Sequence, residues 1–325
     1  MYKISKKQSK AIFLAILALC MLLTGCGGLS KKEPAKPAVP KVTKVIATYV
    51  QAPLNVPSII EKNKHFLADA YKKNGIAFDY STITSGAEQT TALASGDIQI
   101  LNCVGGSSVL LAAANGADMK VLSVYSTAPK AFVLFGKNKA ITRPQDLKGL
   151  TIAGPKGTIL HELLVAFLKK GNMTIKDVNF VSMGIPQARA ALEGGSVQLA
   201  LLAGPVAYSA EKSGMHVVTT GEDLVSGLTL TATSQKFYKE HKDVIDTFLQ
   251  VQKETLKYLA SNTAEAIDIT AKETGLTKDA VEGMYKLYNF EPNITDETKK
   301  ELESTQEFLV SSGLMPKKID LSKIF

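Results

Sequence analysis

The amino-acid sequence predicts an α/β protein built of two similar lobes. Three observations carry that reading. One pattern occurs twice: Ala92-Leu93-Ala94-Ser95-Gly96-Asp97-Ile98-Gln99-Ile100 returns 99 residues later as Ala191-Leu192-Glu193-Gly194-Gly195-Ser196-Val197-Gln198-Leu199. Each copy ends a short helix, turns at glycine and enters an apolar strand, 100–104 or 199–203, that stops at Gly105-Gly106 or Gly204-Pro205. A strand that is apolar on both faces needs cover on both, as in a parallel sheet flanked by helices. The chain of 325 residues is also long enough for two cores.

The leader comes first. Residues 1–10 hold four lysines and no acid, residues 11–23 are apolar, and Leu23-Thr24-Gly25-Cys26 follows. A basic start, a short apolar run and small residues before a cut site make a secretory signal over 1–25, too short to span a membrane comfortably. The Leu-Thr-Gly-Cys ending resembles a bacterial lipobox, which implies a lipid-carrying Cys26 and an anchor on the extracytoplasmic face of the cell membrane. Residues 26–43, with Pro34, Pro37 and Pro40, then read as an extended tether.

The folded part starts with a strand at 44–50. Ile59, Ile60, Phe66, Leu67, Ala70 and Tyr71 mark a helix ended by Asn74-Gly75, and 78–83 alternates as a strand. The first repeat, a helix from Ser107-Ser108 to Asn115-Gly116 and a strand at 121–125 complete that half. Residues 131–135 are expected to cross to the second lobe, which has strands at 150–153, 178–181 and 216–220, a helix after Gly154-Pro155-Lys156-Gly157-Thr158, and the second repeat. Residues 228–232 are expected to cross back. From Ser234 the pattern is helical, with an apolar stripe from Val244 to Leu259 and Thr263, Thr277 and Thr295 as expected N-caps. The expected division is 44–130 plus 229–325 for lobe one and 131–228 for lobe two.

Charge and cysteines exclude several functions. Eight lysines and one glutamate before residue 44 supply +7 of the formal +8, so the body is nearly neutral. Such a body gives no electrostatic reason to bind nucleic acid. Cys103, alone in a predicted strand, reads as a small core residue, and no Cys-x-x-Cys exists. His65, His161, His216 and His241 are scattered, and no P-loop, Gly-x-Ser-x-Gly or Gly-x-Gly-x-x-Gly occurs. No catalytic residue, metal or cofactor is therefore assigned.

Ligands of open parallel sheets bind beyond the carboxyl ends of the strands. Here those ends are Thr84-Ser85-Gly86, Gly105-Gly106-Ser107-Ser108, Tyr125-Ser126-Thr127, 154–158 and Ala203-Gly204-Pro205. Most are small and hydroxyl-bearing and open a helix, whose free amides and partial positive charge suit an anion. The Gly157 and Thr158 amides are expected to be free donors. Lys156 is the one obvious cation, which favours a monoanion or a zwitterion over a dianion.

Residues 84–100, 146–153 and 191–199 resemble the nitrate/sulfonate/taurine-type group of solute-binding lipoproteins that serve bacterial ABC importers. Gln198 stands where that group usually has Asp, and the segment from Ser234 to Leu259 resembles its return helix. The resemblance spans roughly 44–260. It implies a periplasmic-binding-protein type II fold, two crossover strands and a C-terminal part on the first lobe. It also implies a monomer that closes on a small solute and hands it to a membrane permease and its ATPase. By the same resemblance Tyr49, Gln51, Ser85, Gly86, Gln89, Gly106, Ser107, Tyr125 and Thr127 line the cleft from lobe one. Gly157, Thr158, Met183 and Gly204 line it from lobe two. A branch of this superfamily makes a thiamine pyrimidine with a Cys-rich iron motif that is absent here. A secreted enzyme or sensor domain on the same fold, or a receptor for a thiamine-pyrimidine-like heterocycle, stays open as an alternative.

Overall fold

The structure, a computed structural model, describes residues 40–50, 54–83 and 85–325. The signal, Cys26, almost all of the tether and Gln51 lie outside the described residues. Strand β1 (Lys44–Thr48) pairs in parallel with β2 (Ala77–Ser81), and a parallel bridge from Ala47 to Ile100 continues the pair towards β3 (Leu101–Gly105). Strand β10 (Thr229–Thr233) lies antiparallel between β3 and β4 (Lys120–Ser126). The second sheet has the order β7-β6-β8-β5-β9, from β5 (Phe132–Gly136), β6 (Thr151–Gly154), β7 (Asn179–Ser182), β8 (Leu199–Ala203) and β9 (His216–Thr220). Each sheet therefore follows one plan: two parallel strands, a third beside them, the crossover strand, then the last. The parallel sheet expected for the repeat strands is corrected: an antiparallel crossover strand lies inside each sheet, β10 between β3 and β4 and β5 between β8 and β9.

The repeat holds in atomic detail. Helix α3 (Gly86–Ser95) ends at Gly96, and α6 (Ile185–Gly194) ends at Gly195, with φ of 86° and 77°. An L side chain is strained there, so glycine is the residue that can reverse the chain. Gln99 Oε1 accepts the Ile46 amide at 2.9 Å, and Gln198 Oε1 accepts the Thr151 amide at 2.9 Å. In both copies the glutamine backbone N–H returns the bond to the carbonyl of the same residue. Each glutamine thus ties the repeat to the first strand of its own sheet.

The helix expected across 59–71 is two helices, α1 (Val56–Asn63) and α2 (Phe66–Lys73). His65 separates them at φ 58°, in the left-handed region a helix interior cannot use. Helix α4 (Gly106–Ala114) follows β3, α5 (Ile159–Lys170) follows β6, and α7 (Gly204–Lys212) follows β8. Residues 234–325 add α8 (Gln235–Glu240), α9 (Lys242–Ser261), α10 (Thr263–Thr274), α11 (Lys278–Tyr285) and α12 (Asp296–Ser311). Thr277 and Thr295 cap as expected, each accepting an amide three residues on. Thr263 does not: it lies inside α10, and its hydroxyl donates to the Leu259 carbonyl instead.

Leu101, Val104, Leu230, Leu302 and Leu309 sit in one apolar core, while Leu134, Ile152, Leu163 and Leu201 sit in another. The C-terminal helices touch both bodies. Leu302 and Phe308 of α12 pack into the first core, yet Phe308 also meets the His161 ring of α5 edge-on at 5.3 Å. The two connections between the bodies run side by side, with the Ala128 amide donating to the Ser226 carbonyl at 3.0 Å. Gly227 adopts φ 67°, and a Cβ there would stand 2.9 Å from the Ala128 carbonyl, so this approach requires glycine.

Candidate ligand cleft

Three helix N-termini converge where the two bodies meet. Ser85 caps α3, its hydroxyl accepting the Glu88 amide at 3.5 Å. A Cβ on Gly86 would lie 2.2 Å from Ser108 Oγ, so the starts of α3 and α4 are in direct contact. Gly106 and Ser107 at the start of α4 and Ile159 at the start of α5 then line one small cleft. The far wall of this cleft comes from Glu162 on α5 and from Glu301 and Thr305 on α12. The Gly106 amide donates to the Leu228 carbonyl at 3.2 Å and the Glu88 amide to Ser85, and the other first-turn amides, which a helix ladder leaves unpaired, give the mouth donors and positive potential.

The remaining candidate residues have varied surroundings. Tyr49 is buried, its hydroxyl donates to Glu273 Oε1 at 2.9 Å, and Lys62 lies 4.3 Å from its ring centroid. Gln89 is buried on α3, and its Oε1 has no partner among the described residues. The Tyr125 hydroxyl turns inward, sharing a 2.8 Å bond with Ser58 Oγ and accepting the Ser58 amide at 3.2 Å. That pair joins a buried network in which Asn102 Nδ2 donates to Ser58 Oγ and Gln252 Nε2 donates to Asn102 Oδ1. Thr127 exchanges backbone bonds with Asn289. Met183 is half-buried against the apolar cluster of Ala188 and Leu192, and its amide donates to the Gly154 carbonyl. Gly204 opens α7 at φ 59° and is buried.

The turn at 154–158 departs from expectation. The Gly157 amide is not free, because it donates to His161 Nδ1 at 3.3 Å, one turn into α5. Thr158 occupies the N-cap position, but its hydroxyl donates to the Pro155 carbonyl at 2.9 Å and does not cap. Gly157 holds φ 74°, which explains the glycine. His161 stacks on Phe180 with centroids 4.6 Å apart. Its burial, helped by the charge of Lys156, draws its pKa down to about 4, so it is neutral at physiological pH. Cys103 sits in a bulge of β3 at φ 68°, where β10 skips a residue. Burial pushes its thiol up to about 12, leaving it unreactive.

Sequence reasoning missed Glu162, Glu301 and Thr305. Their spacing is ordinary for helix faces, and only packing brings them to the cleft. Glu162 is 6 % exposed, and burial pushes its pKa up to about 8, with the Thr305 hydrogen bond opposing and Glu301 adding to the rise.

Two lobes of one strand order, joined by paired crossovers and opposing helix N-termini across a cleft, make a periplasmic-binding-protein type II fold. Residues 57–266 match the family described as NMT1/THI5 like, and the chain belongs to that family. A Bacillus subtilis (strain 168) protein named for binding aliphatic sulfonates is 30% identical over 319 residues, covering 96% of this chain and 93% of that one. The taurine-binding periplasmic protein of Escherichia coli (strain K12) is 28% identical over 261 residues, covering 75% of this chain and 81% of the other. The crystal structure of the periplasmic aliphatic sulphonate binding protein SsuA from Escherichia coli aligns with a TM-score of 0.78 at 22% identity, covering 88% of this chain and 92% of that one.

Proposed function

We propose that the protein is the extracytoplasmic substrate-binding lipoprotein of an ABC importer, and that it captures a small sulfonate-type solute between its lobes. The observation that supports this reading is the meeting of the α4 and α5 N-termini at one cleft, Gly106 and Ser107 facing Ile159, with the start of α3 packed on α4 through Gly86 and Ser108. A monoanion there gains amide donors and favourable helix dipoles without any arginine. The relatives named for sulfonates and taurine support the same solute class. Residues 44–130 with 229–325, and 131–228, are the lobes of this reading, and they close by hinge motion at the paired crossovers beside Gly227.

The protein acts as a receptor rather than an enzyme in this reading, which the relatives named for binding sulfonates and taurine support. It works as a monomer, anchored through Cys26, and delivers the solute to a membrane permease and its ATPase. A thermal-shift series on the purified protein tests the solute class with alkanesulfonates, taurine, nitrate, amino acids and a thiamine pyrimidine. A solute at 100 times its dissociation constant stabilises the protein by about 2.7 kcal/mol. A shift with the pyrimidine and none with any sulfonate would refute the reading. For the anchor, Cys26→Ser is expected to abolish lipid labelling, and labelling equal to the parent's would refute it.

A further inference from the structure

Packing alone does not explain the histidine at position 161. Its ring is 3 % exposed, stacks on Phe180 of β7 with centroids 4.6 Å apart, and meets Phe308 of α12 edge-on at 5.3 Å. Its Nδ1 accepts the Gly157 amide at 3.3 Å. A ring nitrogen that accepts an N–H carries no proton of its own, so the neutral imidazole holds its proton on Nε2. That Nε2 is buried and has no hydrogen-bond partner among the described residues. A buried donor left unpaired costs stability. Phenylalanine would keep both ring contacts without that cost. What phenylalanine would lack is an acceptor at the δ position.

The acceptor acts on the turn that opens α5. His161 is the third residue of that helix, the position from which a capping-box side chain reaches back to the N-cap amide. Here the imidazole reaches one residue further back, to Gly157, which holds φ 74°. A second side-chain bond, from the Thr158 hydroxyl to the Pro155 carbonyl at 2.9 Å, closes the same turn. With those groups taken up, the turn offers an anion the first-turn amides of α5, where Ile159 lines the cleft. The ring is seated between a strand of the second sheet and α12, so it fixes the turn against both.

Building on the sulfonate reading, we propose that His161 is a positioning residue for solute binding. Its Nδ1 holds the 154–158 turn so that the N-terminus of α5 faces the cleft. It acts through Gly157 and not on the solute. Burial, with the charge of Lys156 helping, keeps the ring neutral, so the acceptor is available at physiological pH. The unpaired Nε2 is then stability given up for a fixed turn, as functional sites commonly show.

The test is titration calorimetry of the purified full chain with ethanesulfonate and with taurine, together with apo melting temperatures. His161→Phe keeps the ring contacts and removes both nitrogens. It is expected to melt no lower than the parent, yet to bind sulfonate at least about tenfold more weakly, equivalent to about 1.4 kcal/mol. His161→Asn places an amide oxygen where Nδ1 stands and loses the ring. It is expected to melt lower than the parent, yet to bind within about threefold of it. If His161→Phe does not fold, His161→Asn and His161→Leu, both without the ring, isolate the acceptor. The asparagine variant is then expected to bind at least about tenfold tighter than the leucine variant, and equal affinities overturn the proposal. NMR of the ring nitrogens in the parent at neutral pH is expected to show the tautomer protonated on Nε2. Unchanged affinity in His161→Phe overturns the positioning role and leaves the sulfonate reading standing. Binding by His161→Asn no tighter than by His161→Phe does the same, as does a ring protonated on Nδ1. Binding of neither sulfonate by the parent overturns both.

Discussion

Gly86→Ala tests whether α3 and α4 present their N-termini as one unit. The new Cβ would stand 2.2 Å from Ser108 Oγ and 2.7 Å from Ser108 Cβ. The hydroxyl can rotate away, but Ser108 Cβ is fixed by the first turn of α4, so the helix starts must separate. Overpacking of this kind costs about 1–3 kcal/mol. At about 2–4 °C per kcal/mol for a domain of this order of size, the apo melting temperature falls by several degrees. Ser108→Gly removes both clashing atoms and by itself costs about 0.5–1 kcal/mol of helix propensity. In the double variant the alanine has room, so the two changes should cost less together than their sum, with a coupling of about 0.5–3 kcal/mol. Scanning calorimetry of all four proteins gives the cycle, and titration with a bound sulfonate gives the affinities. Gly86→Ala is expected to lower both stability and affinity, and Ser108→Gly in the same chain to restore part of each. Strict additivity of the melting shifts would refute the contact, and an unchanged affinity in Gly86→Ala would refute its role in the cleft.

Three further outcomes are expected. Tyr125→Phe leaves the Ser58 hydroxyl and amide short of a partner, so unfolding should become easier by about 1–3 kcal/mol while solute affinity holds; a loss of affinity with unchanged stability would show that the hydroxyl serves the ligand. Thr295→Ala removes the cap on α12, whose hydroxyl accepts the Thr298 amide at 3.2 Å, and should cost about 0.5–2 kcal/mol in urea unfolding; no shift in midpoint would count against the cap. Burial raises Glu61 to about 8, whereas the unfolded chain releases that proton near about 4.3. Between those values the folded state binds more protons, so apo stability falls as pH rises through the window and levels off above it, by up to about 1.4 kcal/mol per pH unit per group. Glu61→Gln should flatten the part of this slope that Glu162 does not supply, and an identical melting profile from about pH 5 to 8 would show that Glu61 stays charged when folded.

How much of this was legible in the sequence depends on the range of the forces involved. The repeat was readable because its determinants are local: Gly96 and Gly195 end helices in the left-handed region, and Gln99 and Gln198 each make the same reciprocal pair with the first strand of their sheet. Gln198 therefore does the work of its counterpart despite departing from the residue usual in the resembling group. The break between α1 and α2 was not readable, since nothing about His65 announces φ 58°. The inward turn of Tyr125 was hidden as well, because Ser58 is 67 residues away and on another element. The acids were hidden for a different reason. On a helical projection Glu301 stands among Glu297, Lys300 and Glu303 as one more solvated charge. What sets it apart is that packing takes its neighbours' lysines elsewhere.

That contrast divides the labour within the cleft. The strand-to-helix turns that supply amides occur in both lobes, after β3, β6 and β8, and belong to the repeated plan. Each lobe also carries one buried glutamate on the first helix of that plan, Glu61 on α1 and Glu162 on α5. Only the second of these lies at the cleft, because α12 brings Glu301 and Thr305 to it. Since α12 has no counterpart in the other half of the repeat, the strand-to-helix turns of the proposed site belong to the duplicated architecture, whereas Glu301 and Thr305 come from the segment outside it. Substitutions at 85–86 or 105–108 should then weaken all sulfonates together, and a variant there that changed the affinity for one sulfonate alone would count against the shared amide site.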